Sequence, residues 1–217
     1  MVNESDRRPL ASRNTGWANW LSRILADAGV TPNQISIASM GAALLAAALF
    51  YMAGHITGGL RIAGLLGGAL FCQLRLLCNL LDGMVAVEAG KGSSDGAFWN
   101  EMPDRLSDIL ILAGVGYMVG QPTLGWSVAA FAVLTAYVRE LGHALRLAPD
   151  FSGPMAKPHR MAAVTIATVI ATLAILSGFD GIAVMKYALW IILVGTVLTV
   201  TRRSWHLVAA LKSGKQT

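Results

Sequence analysis

Charge is scarce in this chain. Asp, Glu, Lys and Arg make up 13% of its 217 residues while 55% are hydrophobic, and the mean hydropathy is +0.58. A soluble domain carries about 25% charged residues, so a soluble globular protein is excluded. Cysteine is nearly missing. Cys72 and Cys78 stand six residues apart in one apolar stretch, a spacing that suits neither a metal pair nor a disulfide within one helix, so both read as packing residues. The first 34 residues lack the apolar core of a cleavable signal peptide. Acidic side chains number 12 against 17 basic ones, a net charge of +5. No nucleic-acid signature accompanies that excess, and an anionic leaflet and anionic substrates account for it. The few histidines form no catalytic set: His55, His143 and His206 read as interface residues, and His159 has no partner pattern with Asp150.

What is present is apolar length. A spanning helix needs about 20 largely apolar residues. Six segments qualify: Ile35–Ala53, Leu60–Leu81, Ala97–Val119, Leu124–Leu145, Met161–Phe179 and Met185–Thr201. The expected fold is therefore an all-α polytopic membrane protein with six transmembrane helices. Residues 31–217 form the membrane domain, and residues 1–30 a cytoplasmic segment in which Met1–Ser12 is disordered. Trp17, Trp20, Leu21, Ile24, Leu25 and Ala28 recur at helical spacing, as in an amphipathic helix lying in the membrane interface; a soluble amphipathic helix packed on the domain is the other reading. Thr31 followed by Pro32 is a good start for the first span. Arg7, Arg8, Arg13 and Arg23 precede that span. Lys91 lies in the flexible Glu88–Asp95 connection, Arg146, Lys157 and Arg160 near the fourth-to-fifth one, and Arg202, Arg203, Lys212 and Lys215 after the last span. Under the positive-inside rule this distribution puts both termini in the cytoplasm. Gly54/Gly58, Gly64/Gly68 and Gly116/Gly120 have the spacing of close helix contacts.

Polarity inside the apolar segments is concentrated. Six of the 12 acidic residues fall between Asp82 and Asp108. Residues three and four apart share a helix face, so Asn79 pairs with Asp82, and Asn100, Asp104 and Asp108 form one stripe. A charge at the centre of a spanning helix costs about 2.5–3.5 kcal/mol on insertion scales, and its presence there signals function. Asp108, roughly 15 Å into its span by helical rise, is either an auxiliary site residue or an ion-pair partner of Arg105 or Arg139 that holds the bundle together.

The spacing N-x2-D-G-x2-A-V-x8-G-x3-N-x3-D, from Asn79 to Asp104, resembles the CDP-alcohol phosphotransferase family, whose pattern is D-x2-D-G-x2-A-R-x8-G-x3-D-x3-D. Asp82, Gly83, Ala86, Gly96 and Asp104 match, and Asn79, Val87 and Asn100 depart. The Thr31-Pro32-Asn33-x-x-Ser36 start and the six-span layout resemble family members too. The resemblance implies transfer of a phosphoalcohol group from a CDP-linked donor to a hydroxyl, with release of CMP. It implies Mg2+ or Mn2+ bound by positions 79, 82, 100 and 104, with Asp104 also the base for the acceptor hydroxyl. Gly83, Ala86 and Gly96 would lie against the donor, where glycine lets nucleotide and phosphate approach the backbone. Arg139, Lys157 and Arg160 would grip an acceptor phosphate or, alternatively, set topology at helix ends. Asparagine offers a carbonyl oxygen but no charge, so the two asparagines weaken the metal site, and Val87 removes a phosphate contact. Asp108, Glu101 and Glu88 are positioned to compensate the first loss; Arg75, Arg105 and Lys91 the second.

The reading is an inner-membrane, metal-dependent phosphatidyltransferase of phospholipid biosynthesis, homodimeric as family members often are. It would use CDP-diacylglycerol or another CDP-alcohol and a polar alcohol acceptor amid membrane lipids, with no nucleic acid involved. One alternative is a pseudoenzyme that binds nucleotide-lipid or scaffolds lipid enzymes. A transporter relaying protons through buried carboxylates is the other, but the acidic residues cluster towards one side instead of threading the bilayer.

Overall fold

A computed structural model describes residues 15–88 and 95–213. The tail Met1–Ser12, the basic residues Arg7, Arg8, Arg13, Lys91 and Lys215, and the expected loop through Gly90, Gly92, Ser93 and Ser94 lie outside the described residues. The described chain is helical: α1 (Gly16–Asp27), α2 (Pro32–His55), α3 (Gly58–Glu88), α4 (Gly96–Met118), α5 (Pro122–Ala144), α6 (Lys157–Leu176) and α7 (Gly181–Lys212).

Local chemistry sets the boundaries. Thr31 opens α2 with a capping box: its hydroxyl accepts from the Gln34 N–H at 3.3 Å, and the Gln34 side chain accepts from the Thr31 N–H at 2.9 Å. Pro122 and Pro158 stand in the first turns of α5 and α6, where a missing N–H costs nothing. Asp180 caps α7 by accepting from the Ile182 N–H at 2.9 Å. Gly120, at φ +67, takes the left-handed conformation that ends α4 and turns the chain into α5.

α2 packs against α3 and α4, α4 against α5, and α7 against α5 and α6. α2 contributes small side chains to this contact, with Ala43, Ala46 and Ala53 fully buried around Phe50. Backbones approach closely as a result. A Cβ on Gly116 would stand 2.6 Å from the Cα of Gly125, and one on Gly114 would stand 2.8 Å from the Cα of Ala47. Of the three glycine pairs expected at helix contacts, Gly54, Gly64, Gly68 and Gly116 do meet neighbouring helices, whereas Gly58 and Gly120 are turn residues with open space around them. The core runs through Leu65, Ile111, Leu112, Met161, Met185 and Leu189.

Outward-facing residues are apolar as well, among them Leu60, Ile166, Leu173, Tyr187 and Ile191. This is the surface of a multi-pass membrane protein. Five helices, all but α1 and α4, are long and apolar enough to cross a membrane. α4 has the length, at 23 residues, but carries Glu101, Asp104, Arg105 and Asp108, and that polarity takes it out of the apolar class. α1 lies against α3 with Ala18 and Ser22 buried and Trp17, Trp20 and Ile24 exposed. The last span is longer than the expected Met185–Thr201. α7 continues to Lys212, and Arg203, expected as a flanking topology charge, is buried within it.

Candidate active site

A cavity of about 920 Å3 opens between the ends of α2 to α7, and ten of the eleven site residues expected from the sequence line it. Asn79, Asp82, Gly83 and Ala86 come from the last turns of α3; Gly96, Asn100 and Asp104 from the first turns of α4. Arg139 comes from α5, and Lys157 and Arg160 from the first turn of α6. Pro103 sits inside α4; lacking an N–H, it leaves the Trp99 carbonyl without its helical donor immediately beside Asp104. Val87, in the motif's arginine position, also lines the cavity and is half-exposed.

The carboxylates are held before any ligand arrives. Asp82 accepts from the Ser36 hydroxyl at 2.7 Å and from the Gly83 N–H at 2.6 Å. Asp104 accepts at Oδ1 from Arg75 Nη2 at 3.2 Å. At Oδ2 it pairs with the Lys157 ammonium, which donates to the Asn79 side-chain oxygen as well. Arg105 stands 3.8 Å from the same Oδ2. Asn100 is exposed at the cavity wall.

Asp108 is the eleventh residue, and the cavity does not reach it. It is 1% exposed, with Arg75 on Oδ1 at 3.1 Å and Arg160 on Oδ2 at 2.6 Å. The bundle-holding role falls to it, but with Arg75 and Arg160 as partners in place of Arg105 and Arg139. Arg75, expected near phosphates, is fully buried in this network and is not part of the cavity lining. Glu101 pairs with Arg105 at 2.9 Å and Arg139 at 2.7 Å, so it lies beside the cationic side of the cavity. Lys91 and the Glu88 side chain are outside the described residues.

The three basic residues expected at the acceptor also have partners. Arg139 pairs with Glu101 and Glu140, each at 2.7 Å, and its guanidinium lies 5.5 Å from the Phe151 ring centroid. Arg160 donates to the Met155 carbonyl at 2.9 Å as well as to Asp108. Sequence reasoning missed Arg203, which lines the cavity while donating to the Thr135 carbonyl at 2.7 Å and the Ser152 carbonyl at 2.9 Å. It gave Ser36 no partner, and it missed His143 in the cavity wall. His206 instead meets Asp150 at 2.9 Å at the protein surface. Asp150 lies in the loop before α6; burial raises its pKa, but hydrogen bonds from Ser152 and His206 outweigh this and hold it below the ordinary carboxylate value.

Among the described residues no three His, Cys, Asp or Glu side chains gather as a metal-binding group, because amides fill two of the four motif positions. The set is two carboxylates and two amide carbonyls on one cavity. Hard dications such as Mg2+ and Mn2+ accept all four as oxygen ligands, so the residues fit such an ion, with charge enough to balance one.

No family model matches the chain. It is 28% identical over 196 residues to the phosphatidylinositol phosphate synthase of Mycobacteroides abscessus, covering 85% of this chain and 80% of that one. Archaetidylinositol phosphate synthase of Pyrococcus horikoshii is 30% identical over 118 residues, 54% of this chain and 56% of the other. Together with the motif spacing, these relatives support the family. The chain is similar to CDP-alcohol phosphotransferases. Its fold agrees with theirs: the crystal structure of Mycobacterium tuberculosis phosphatidylinositol phosphate synthase in complex with manganese and citrate superposes with a TM-score of 0.73 at 22% identity, over 88% of each chain. A second structure of that protein, with CDP-DAG bound, gives 0.71. The chain departs from the family's motif pattern at Asn79, Val87 and Asn100.

Proposed function

We propose that this chain is a CDP-alcohol phosphotransferase that transfers the phosphatidyl group of CDP-diacylglycerol to a polar, phosphate-bearing alcohol and releases CMP. One observation carries the reading: a single cavity joins the motif residues of α3 and α4 to a cationic wall from α5, α6 and α7. Gly83, Ala86 and Gly96 offer a narrow, small-residue surface for the nucleotide end of the donor. Arg139, Lys157 and Arg160 face them as the side that takes the acceptor's anionic group. Asp104 takes the proton of the acceptor hydroxyl as that oxygen bonds to the phosphatidyl phosphorus and the bond to CMP breaks. Asp82, Asp104 and the side-chain oxygens of Asn79 and Asn100 would hold Mg2+ or Mn2+, which when bound neutralises the donor pyrophosphate and aligns it for in-line attack.

The relatives named above are synthases, which gives the non-catalytic alternative no support. The reading further takes α4 as a sixth span, its polar face turned to the cavity. It places the protein in the inner membrane with both termini cytoplasmic, as a homodimer. The test is CMP release by purified protein supplied with CDP-diacylglycerol, Mn2+ or Mg2+, and glycerol phosphate, inositol phosphate, inositol or serine in separate reactions. Release with a phosphorylated alcohol, lost in Asp104→Asn, is the expected result. Bound cytidine nucleotide without release under every acceptor refutes the transferase.

A further inference from the structure

The first motif position is filled in an unexpected way. Lys157 begins α6, yet its ammonium reaches across to the end of α3 and donates to the Asn79 side-chain oxygen, and in the same geometry to Asp104 Oδ2 on α4. It thus bridges the first and fourth motif positions from a third helix, with its side chain 17% exposed. Its backbone is fixed there: Ala156 is buried before it, Pro158 follows it, and Arg160 is pinned to Asp108 at 2.6 Å one turn later.

Charge arithmetic gives this contact its meaning. The four motif positions carry two negative charges, on Asp82 and Asp104. One divalent cation balances them, whereas two would leave an excess of two positive charges beside Arg105, Arg139 and Arg160. Lys157 supplies one positive charge through donors rather than coordination. Asn79 suits it: an amide oxygen accepts from the ammonium without neutralising it, so that charge stays available to the carboxylates, with Asp104 in direct contact.

We propose that Lys157 is a built-in cation of the motif, and that the site in consequence takes a single divalent cation per chain. The proposal rests on the transferase reading of the motif but makes a separate claim about its ion content. An ammonium cannot accept a phosphate oxygen as a ligand in the way a metal does, but it can donate to one. As the donor enters, Lys157 keeps Asn79 and Asp104, and the third proton of its ammonium remains to donate to the acceptor's anionic group beside Arg139 and Arg160.

Full-length detergent-solubilised protein titrated with Mn2+ alone tests this, with bound metal counted by elemental analysis and its electronic state read by electron paramagnetic resonance. The wild type is expected to bind one Mn2+ per chain with the spectrum of an isolated ion. The double variant Asn79→Asp, Lys157→Met should bind two with a spin-coupled spectrum, while Lys157→Arg keeps one. Two coupled ions in the wild type overturn the proposal, as does a single ion in a double variant that still melts cooperatively. Should the double variant fail to fold, Lys157→Gln decides: an unchanged Mn2+ affinity overturns the claim, and a several-fold change supports it. Because no turnover is needed, a chain that binds one Mn2+ but releases no CMP refutes the transferase and leaves the ion count standing.

Discussion

Replacing Asp108 separates a structural carboxylate from a catalytic one. Its two oxygens hold Arg75 at 3.1 Å and Arg160 at 2.6 Å, and all three side chains are within 1% of complete burial. In Asp108→Asn the amide still fills the space, but two buried guanidinium groups lose a charge partner. Arg75 retains Asp104 at 3.2 Å; Arg160 keeps only neutral acceptors, the Met155 carbonyl and the Thr135 hydroxyl. Breaking one partner out of a buried pair costs about 3–5 kcal/mol. At roughly 2–4 °C per kcal/mol for a chain of this size, the melting temperature should fall by about 6–20 °C. Tryptophan fluorescence during heating of the detergent-solubilised protein reads this directly, with CMP release measured well below the lower midpoint. The expected outcome is a large thermal loss with most activity retained in the molecules still folded. An unchanged melting temperature with CMP release abolished would show that Asp108 acts in the chemistry, and the assignment made from its burial would be wrong.

Three further changes probe other parts of the structure. Ser36→Ala removes the hydroxyl that Asp82 accepts from at 2.7 Å; losing such a partner of a metal-binding carboxylate typically weakens metal affinity by about 10–100-fold, measurable by Mn2+ titration, and an unchanged affinity would remove Asp82 from the metal set. Gly116→Leu forces a Cβ to within 2.6 Å of the Gly125 Cα, so α4 and α5 must separate, at a cost of about 1–3 kcal/mol or more; a melting temperature equal to wild type would mean the helices are not in this contact. Asp150 has its pKa held below the ordinary value by Ser152 and His206 against the opposing effect of burial, so its contribution is present above the unfolded carboxylate pKa and is lost as pH falls through the lower folded value. Melting temperatures of wild type and Asp150→Asn should therefore differ at neutral pH and converge in acid; a constant gap would show that the carboxylate charge is not what holds the loop.

The helices were legible because a run of apolar residues long enough to span a bilayer has few alternative readings, and each of the six expected spans falls on one of α2 to α7, those on α4, α5 and α6 running past the helix ends to Val119, Leu145 and Phe179. Their ends were less so. Hydropathy ends at Leu81, but α3 continues to Glu88, because the motif residues face a cavity enclosed by other helices rather than water. Lys157 and Arg160 read equally as acceptor contacts or as topology charges at a helix end, and Arg203 as a flanking charge. Spacing grouped Asn79 with Asp82 and Asn100 with Asp104. It gave no access to partners on other helices: Lys157 is 78 residues from Asn79, and Arg160 is 52 from Asp108. Local periodicity finds residues that share a face, and only packing decides which faces meet.

Packing also explains why two carboxylates one turn apart do different work. Asp104 and Asp108 share Arg75, whose Nη2 serves both and leaves its Nε and Nη1 without hydrogen-bond partners among the described residues. A buried guanidinium with two idle nitrogens is expensive, and the expense is understandable if its task is to fix the two carboxylates relative to each other rather than to maximise its own bonding. Asp108 is then closed off by Arg160, while the second oxygen of Asp104 is left on the cavity side, to Lys157. The deeper pair helps set the position of the shallower one, so Asp104, the base in the proposed mechanism, is fixed in advance, which is the condition under which a fixed charge lowers a barrier. Asp108 thus serves as support, and the polar stripe that looked like one site in the sequence is a cavity-facing carboxylate standing on a buried one.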